Sequence, residues 1–176
     1  MRRKMLEKRN SQALGDSTGR SALVQEHVVK SREFQSARII GAYFATGSEV
    51  KSDLLIGEAK KLGKVIALPR TEKDMINFYE ISSTDELVAG RFGIMEPPPV
   101  RPARTIDLIV VPGIAFDKKG YRLGYGKGYY DCYLSGKKPQ FTIGLAYNFQ
   151  LLESLPHDAH DVKVDAIATE DGIHYV

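Results

Sequence analysis

Residues 108–134 read LIVVPGIAFDKKGYRLGYGKGYYDCYL. The first four, Leu108, Ile109, Val110 and Val111, are an unbroken aliphatic run of strand length with no polar face. Such a run is buried on both sides, so it is expected at the centre of a mainly parallel sheet. Pro112 ends it, and five glycines follow within 16 residues: Gly113, Gly120, Gly124, Gly126 and Gly128. The segment 127–134 then reads as a helix. A central strand that opens into a glycine-rich loop and a helix belongs to the βα architecture.

The rest of the chain fits around that unit. Upstream, strands are expected at 38–44, 64–68 (ended by Pro69) and 76–81. Ser52 can cap a helix over 53–62, which Gly63 stops. The N-terminus reads as a short basic helix over 2–10, broken by the segment 15–19. A second helix would then be capped by Ser21 and run to about Gln35. Ser83 and Glu86 have capping-box spacing, and 96–102, with four prolines, is an extended connection. Downstream, strands are expected at 141–147 and 165–169, with a helical turn or two over 150–155. Strands alternating with helices predict a single-domain, Rossmann-like three-layer α/β sandwich, mainly parallel, with helices on both faces. Ligands bind such sheets at the carboxyl ends of the strands. The loops after Phe44, Leu68, Val111 and Tyr147 are therefore where chemistry is expected.

Composition narrows the class. The chain has 176 residues, 43% apolar and 27% charged, enough for a core without staples. No apolar run approaches the roughly 20 residues of a membrane helix, and the N-terminus lacks an apolar signal segment, so a cytoplasmic protein with no membrane partner is expected. The single cysteine, Cys132, has no intramolecular disulfide partner and no nearby base that would make it a nucleophile. The net charge of +3 is uneven: residues 1–40 hold nine basic and four acidic side chains, the remainder 16 and 18. A basic N-terminal segment can bind nucleic acid, but it is more often the solvated face of a helix, so no nucleic-acid partner is expected.

Closely spaced glycines admit a ligand to backbone N–H groups, and Arg122 and Lys127 add positive charge. The composition is that of a phosphate cradle, with a plain surface loop as the alternative. It is neither standard signature. Tyr121 stands where a P-loop needs its first glycine, Gly128 where it needs Ser or Thr, and Tyr129 where the dinucleotide pattern needs its third glycine. Asp131, three residues past Gly128, suits Mg²⁺ beside phosphates. Asp161, Asp165 and Glu170 form a second acidic set that could supply a partner. His157 and His160 lie among Asp158 and Asp161, but this is weak zinc spacing in a loop. Tyr125, Tyr129 and Tyr133, spaced by four, would share a helix face as core packing or as a stacking surface.

These residues resemble the 5-formyltetrahydrofolate cyclo-ligases, also called methenyltetrahydrofolate synthetases. The resemblance rests on PGIAFDKKGYRLGYGKGYYDCYL, then on 143–147 (IGLAY) and 160–165 (HDVKVD). Upstream, 47–50 (GSEV), 68–70 (LPR) and 93–97 (GIMEP) fall in the expected order. It implies one Rossmann-like domain and an ATP- and Mg²⁺-dependent ring closure. 5-Formyltetrahydrofolate would become 5,10-methenyltetrahydrofolate, with ADP and phosphate as the other products. By the resemblance, Arg122 and Lys127 would be the catalytic counter-charges. The ATP site would comprise Arg2, Arg122, Leu123, Gly124, Tyr125, Gly126, Lys127, Gly128, Tyr129 and Tyr130. Asp131 and Asp161 would hold Mg²⁺. The substrate, a reduced formyl folate or related pterin, would meet Ala45, Glu49, Lys51 and the segment Tyr125, Gly126, Lys127, Gly128 and Tyr129.

The chain departs from the family in three places. The family usually has a basic residue about four positions before the arginine matched to Arg2, upstream of Met1. Lys51 stands where a carboxylate often follows the Glu-Val pair, and a lysine cannot accept a hydrogen bond. Tyr125 stands where some relatives have arginine. Two alternatives follow: the same chemistry on a different formyl pterin, or a non-catalytic nucleotide- or RNA-binding module that uses the basic N-terminus and binds RNA salt-sensitively.

Overall fold

The computed structural model describes residues 1–12, 14–90, 93–137 and 139–176. In chain order the elements are α1 (Arg2–Asn10), α2 (Leu14–Lys30), α3 (Arg32–Ser36), β1 (Ile39–Gly41), α4 (Asp53–Lys61), β2 (Val65–Glu72), β3 (Met75–Ile81), β4 (Val88–Ala89) and β5 (Met95–Glu96). There follow β6 (Leu108–Pro112), β7 (Ala115–Asp117), β8 (Arg122–Leu123), α5 (Tyr129–Gly136), β9 (Phe141–Leu145), β10 (Leu151–Leu152), β11 (Ala166–Thr169) and β12 (Gly172–Tyr175).

The aliphatic run is β6, the fourth of seven strands in the order β12-β11-β9-β6-β1-β2-β3. It pairs in parallel with β1 and β9. β11 and β2 extend the parallel set, and β12 and β3 add antiparallel edges. The period of two in side-chain direction divides β6 between two cores. Leu108 and Val110 pack on one face with Val24, Val28 and Phe34 of α2 and α3 and with Leu55 and Ile56 of α4. Ile109 and Val111 pack on the other with Phe116, Tyr133 and Leu134. The result is a layered α/β fold with a mostly parallel sheet. Its second face carries α5 together with a small β10-β7-β8 sheet rather than helices alone. No described helix is long and apolar enough to cross a membrane.

Six expectations are corrected. The segment 15–19 does not break a helix, because Gly15 and Gly19 lie inside α2. Burial of the Val24–Val28 stripe outweighs their low helix propensity. Ser21 is not a cap: it is buried in α2, and its Oγ accepts the Lys51 N–H. The expected helix to Gln35 instead divides at Ser31, whose hydroxyl donates to Val28 O (2.7 Å) and accepts from Phe34 N (3.2 Å). That local bonding competes with helix continuation and caps α3. β2 runs through Pro69, because past Ala67 it pairs only with β3 and the missing N–H costs no ladder bond on the open side. The 150–155 turn is a 3-10 turn at Asn148–Gln150 followed by β10, which adds to β7. The sheet closes on β12, not at 165–169, through a hairpin that was too short and polar to read as a strand.

Phe116 is fully buried in a notch between Gly113 and Gly144. A Cβ on Gly144 would lie 2.4 Å from the Phe116 ring and one on Gly113 2.5 Å from it. Overpacking of this kind costs about 1–3 kcal/mol. Gly144→Ala is therefore expected to lower the unfolding free energy read from urea denaturation by that amount, with a lower midpoint, and adding Phe116→Leu to recover part of it. Equal midpoints for wild type and Gly144→Ala would refute the notch.

Candidate active site

The site lies at the carboxyl ends of β1 and β6. The five glycines of the central segment divide by role. Gly113 makes room for Phe116. Gly120 has φ +89° and brings its backbone to Val164, where a Cβ would sit 2.6 Å from the carbonyl oxygen. A Cβ at Gly128 would meet open space, one at Gly124 would sit 3.5 Å from the Arg122 guanidinium, and one at Gly126 would sit 3.7 Å from that of Arg2. Only these last three form a cradle. Gly128 (φ +65°) also starts α5, two residues later than expected.

The second wall comes from the far end of the chain. Arg9 is the one buried residue of α1, so this polar helix is docked by its charges. Arg2 Nε donates to Gly124 O at 2.7 Å. Arg9 donates to Ser48 Oγ (3.0 Å), Gly113 O (3.3 Å) and Tyr125 Oη (2.8 Å). Ser48 in turn donates to Asn10, and Lys8 lies 4.8 Å over the Phe149 ring. The carbonyl of Gly113 is fixed from the other side by Gln150 Nε2 at 3.2 Å.

In the loop after β1, Glu49 is buried and folds back to accept Thr46 N at 2.9 Å. Its other oxygen accepts the Tyr125 hydroxyl at 3.5 Å. Ala45 is half-buried against the first core. Lys51 is exposed, with Nζ 3.4 Å from Gly47 O.

On the other side of the cradle, Arg122 Nη2 and Asp131 Oδ2 are 2.8 Å apart, with side chains 7% and 19% exposed. Asp131 Oδ1 also accepts Val162 N at 3.1 Å. Tyr130 lies beneath the Arg122 guanidinium at 5.2 Å. Burial pushes its hydroxyl well above the usual tyrosine range, so it stays protonated at any working pH. Leu123 takes the Ile114 N–H on its carbonyl (2.8 Å), and Tyr129 packs half-buried on the second core. Lys127 is exposed and makes no ion pair or hydrogen bond among the described residues, which leaves its charge available.

Asp161 shares with Asp131 a cleft of about 450 Å³ that Gly128, Cys132 and His160 also line. Its Oδ2 accepts Asp158 N (2.7 Å). The two carboxylates suit Mg²⁺ in a site completed by phosphate oxygens and water, since this ion commonly takes only one or two protein carboxylates. They do not make a closed protein cage: no group of three or more metal-binding side chains occurs among the described residues. The other acids serve the fold. Asp165 accepts Thr142 N and Oγ1, and Glu170 accepts Asn148 N and pairs with Arg20. His157 stacks on Tyr121 at 3.6 Å, and no zinc-type cluster gathers around it among the described residues. The tyrosine triplet does not share one face: Tyr133 is core, Tyr129 is half-buried, and Tyr125 precedes the helix and is exposed.

The structure thus joins Arg2, Gly124 and Gly126 in one wall, Tyr125 and Glu49 in another, and Arg122, Tyr130 and Asp131 in a third. Sequence reading missed Arg9 and Ser48. One arginine among the five basic residues of a polar helix carries no local mark of burial.

The family model described as the 5-formyltetrahydrofolate cyclo-ligase family matches residues 1–170. A 5-formyltetrahydrofolate cyclo-ligase of Mus musculus is 32% identical over 168 residues, covering 86% of this chain and 82% of that protein. The structure of 5,10-methenyltetrahydrofolate synthetase from Aquifex aeolicus superposes with a TM-score of 0.89 at 38% identity, over 99% of this chain and 90% of that one. The corresponding enzyme of Mycoplasma pneumoniae gives 0.75 at 26% identity over 96% of each chain. The likeness extends over the cradle, the loop after β1 and α1 alike, and the chain belongs to the 5-formyltetrahydrofolate cyclo-ligase family.

Proposed function

We propose that the protein closes the imidazoline ring of 5-formyltetrahydrofolate, forming 5,10-methenyltetrahydrofolate with conversion of ATP to ADP and phosphate. The observation that carries this reading is the cradle of Gly124, Gly126 and Gly128. It lies open, faced by Arg2, Lys127 and the Asp131–Asp161 cleft on one side and by Tyr125 and Glu49 on the other. Such a site holds a polyphosphate and a planar ring next to each other.

The chemistry needs that adjacency. A formamide oxygen is a poor leaving group. Transfer of the γ-phosphoryl group to it makes phosphate the leaving group. N10 of the same molecule then attacks the formyl carbon, the carbon–oxygen bond breaks, and the N10 proton is lost. No covalent nucleophile of the protein is required, so catalysis consists of placement and charge neutralisation. Lys127 and Arg2 neutralise phosphate charge. Arg122, fixed by Asp131, faces the same phosphates from below. Asp131 and Asp161 would hold Mg²⁺, which when bound supplies further charge neutralisation. Glu49 accepts N–H donors of the pterin, and the Tyr125 ring gives it a flat wall. Lys51, exposed on the Gly47 turn, leaves the recognition of those donors to Glu49.

Incubation of the protein with ATP, Mg²⁺ and 5-formyltetrahydrofolate is expected to produce the near-ultraviolet band of the methenyl product, dependent on all three. Absence of the band with ATP binding intact would shift the assignment to another formyl pterin. The RNA-binding reading is disfavoured by the engagement of Arg2 on Gly124 and of Arg9 on Tyr125, which turns two basic N-terminal side chains toward the site and buries one of them, Arg9.

A further inference from the structure

We infer that Arg9 is a positioning residue for the pterin-binding half of the site, acting through the Tyr125 hydroxyl on Glu49. This rests on the reaction proposed above.

Arg9 is a buried cation, 4% exposed, with no carboxylate in direct ion-pair contact among the described residues. Its three hydrogen bonds reach three separate segments: Ser48 in the loop after β1, Gly113 at the end of β6, and Tyr125 in the cradle. Burial of an arginine is costly unless its hydrogen bonds and a counter-charge compensate. The counter-charge here is Glu49, reached through Tyr125.

The direction of the chain is fixed by chemistry. A guanidinium has no acceptor, so the Tyr125 oxygen must accept from Arg9. The phenolic proton is then free to point at Glu49 Oε1, 3.5 Å away. Glu49 is held as an acceptor between that hydroxyl and Thr46 N. The Tyr125 side chain is 57% exposed, so core packing does not set its orientation, whereas the Arg9 bond at 2.8 Å does. Arg9 therefore fixes two features that a flat heterocycle with N–H donors would read: the aromatic wall and the carboxylate. A lysine cannot replace it, because one ammonium lacks the planar fork that spans three acceptors.

These bonds end on the Tyr125 hydroxyl and the Glu49 carboxylate, not on the backbone of Gly124, Gly126 and Gly128, and that separates the role from general structural support. Arg9→Gln is expected to raise KM for the formyl pterin roughly ten- to a hundredfold, the range of a charged hydrogen bond. KM for ATP should stay within about twofold. Tyr125→Phe, a change at an exposed side chain with little folding risk, should raise the pterin KM in the same direction. The double variant should be no worse than Arg9→Gln alone, because both remove one relay. Arg9→Lys should not rescue. An equal rise in KM for ATP, additive effects in the double variant, or full rescue by lysine would each overturn the assignment. If Arg9→Gln does not fold, an unchanged pterin KM in Tyr125→Phe is sufficient to overturn it. Wild-type turnover is measured first: its absence defeats the proposed reaction and this role with it, whereas normal wild-type turnover with unchanged KM in the variants defeats this role alone.

Discussion

Lys127→Ala is expected to lower kcat/KM by roughly 10²–10³-fold, the usual cost of removing one group that stabilises charge developing in the transition state. The loss should occur with no measurable change in thermal midpoint. Lys127 is exposed with no ion pair or hydrogen bond among the described residues, so its removal leaves none of their buried groups without a partner. A surface substitution of this kind falls within about 0.5 kcal/mol of wild type. Lys127→Arg keeps the charge and should recover part of the rate. Steady-state kinetics with both substrates and a thermal melt decide the matter. Wild-type turnover in Lys127→Ala would remove Lys127 from the phosphate site and with it the main catalytic role assigned to the cradle.

Asp131→Ala is expected to abolish most turnover for a different reason and to destabilise the protein as well. Its carboxylate binds the Arg122 guanidinium, whose side chain is only 7% exposed, and the Val162 N–H. Removing it leaves a nearly buried cation without its partner. Breaking a fully buried pair costs about 3–5 kcal/mol, and the partial exposure of Asp131 brings the expectation down to about 2 kcal/mol. Asp161→Ala is the matched comparison. It should impair Mg²⁺-dependent turnover similarly, yet lose only a few tenths to about 1 kcal/mol, because its carboxylate accepts one backbone N–H in an exposed turn. Urea denaturation of both variants, alongside Mg²⁺ titration of activity, separates the two roles. Equal stability losses would show that the Arg122 pair contributes nothing to the fold. Retained Mg²⁺-dependent rates in both would remove the metal assignment.

The glycine-rich segment shows how far local reading reaches. A density of glycines beside Arg122 and Lys127 was sufficient to single out the segment as a candidate anion cradle. It could not show that Gly113 and Gly120 serve packing and close backbone approach while Gly124 and Gly126 lie beside the Arg122 and Arg2 guanidinium groups and Gly128 faces open space. Which atoms a missing Cβ would meet depends on Phe116 and Val164, and the fold alone brings them there. The same holds for the acids. Asp131, Asp161, Asp165 and Glu170 are equivalent as residue types. Only the cleft shared by Asp131 and Asp161, and the Thr142 and Asn148 partners of the other two, distinguish metal-binding candidates from structural ones.

By itself the sequence determined the layered, mostly parallel sheet and its central strand, because an unbroken aliphatic run and the alternation of strands with helices are local, periodic signals. It also singled out the glycine-rich segment after that strand and, through resemblance, the family. The tertiary structure decided what lies against the cradle. Arg2 meets Gly124 across 122 positions and Arg9 meets Tyr125 across 116. Such contacts leave no trace in periodicity. A charged side chain buried by docking on a distant loop is locally indistinguishable from one in solvent, and the difference arises only when the fold supplies its hydrogen-bond partners.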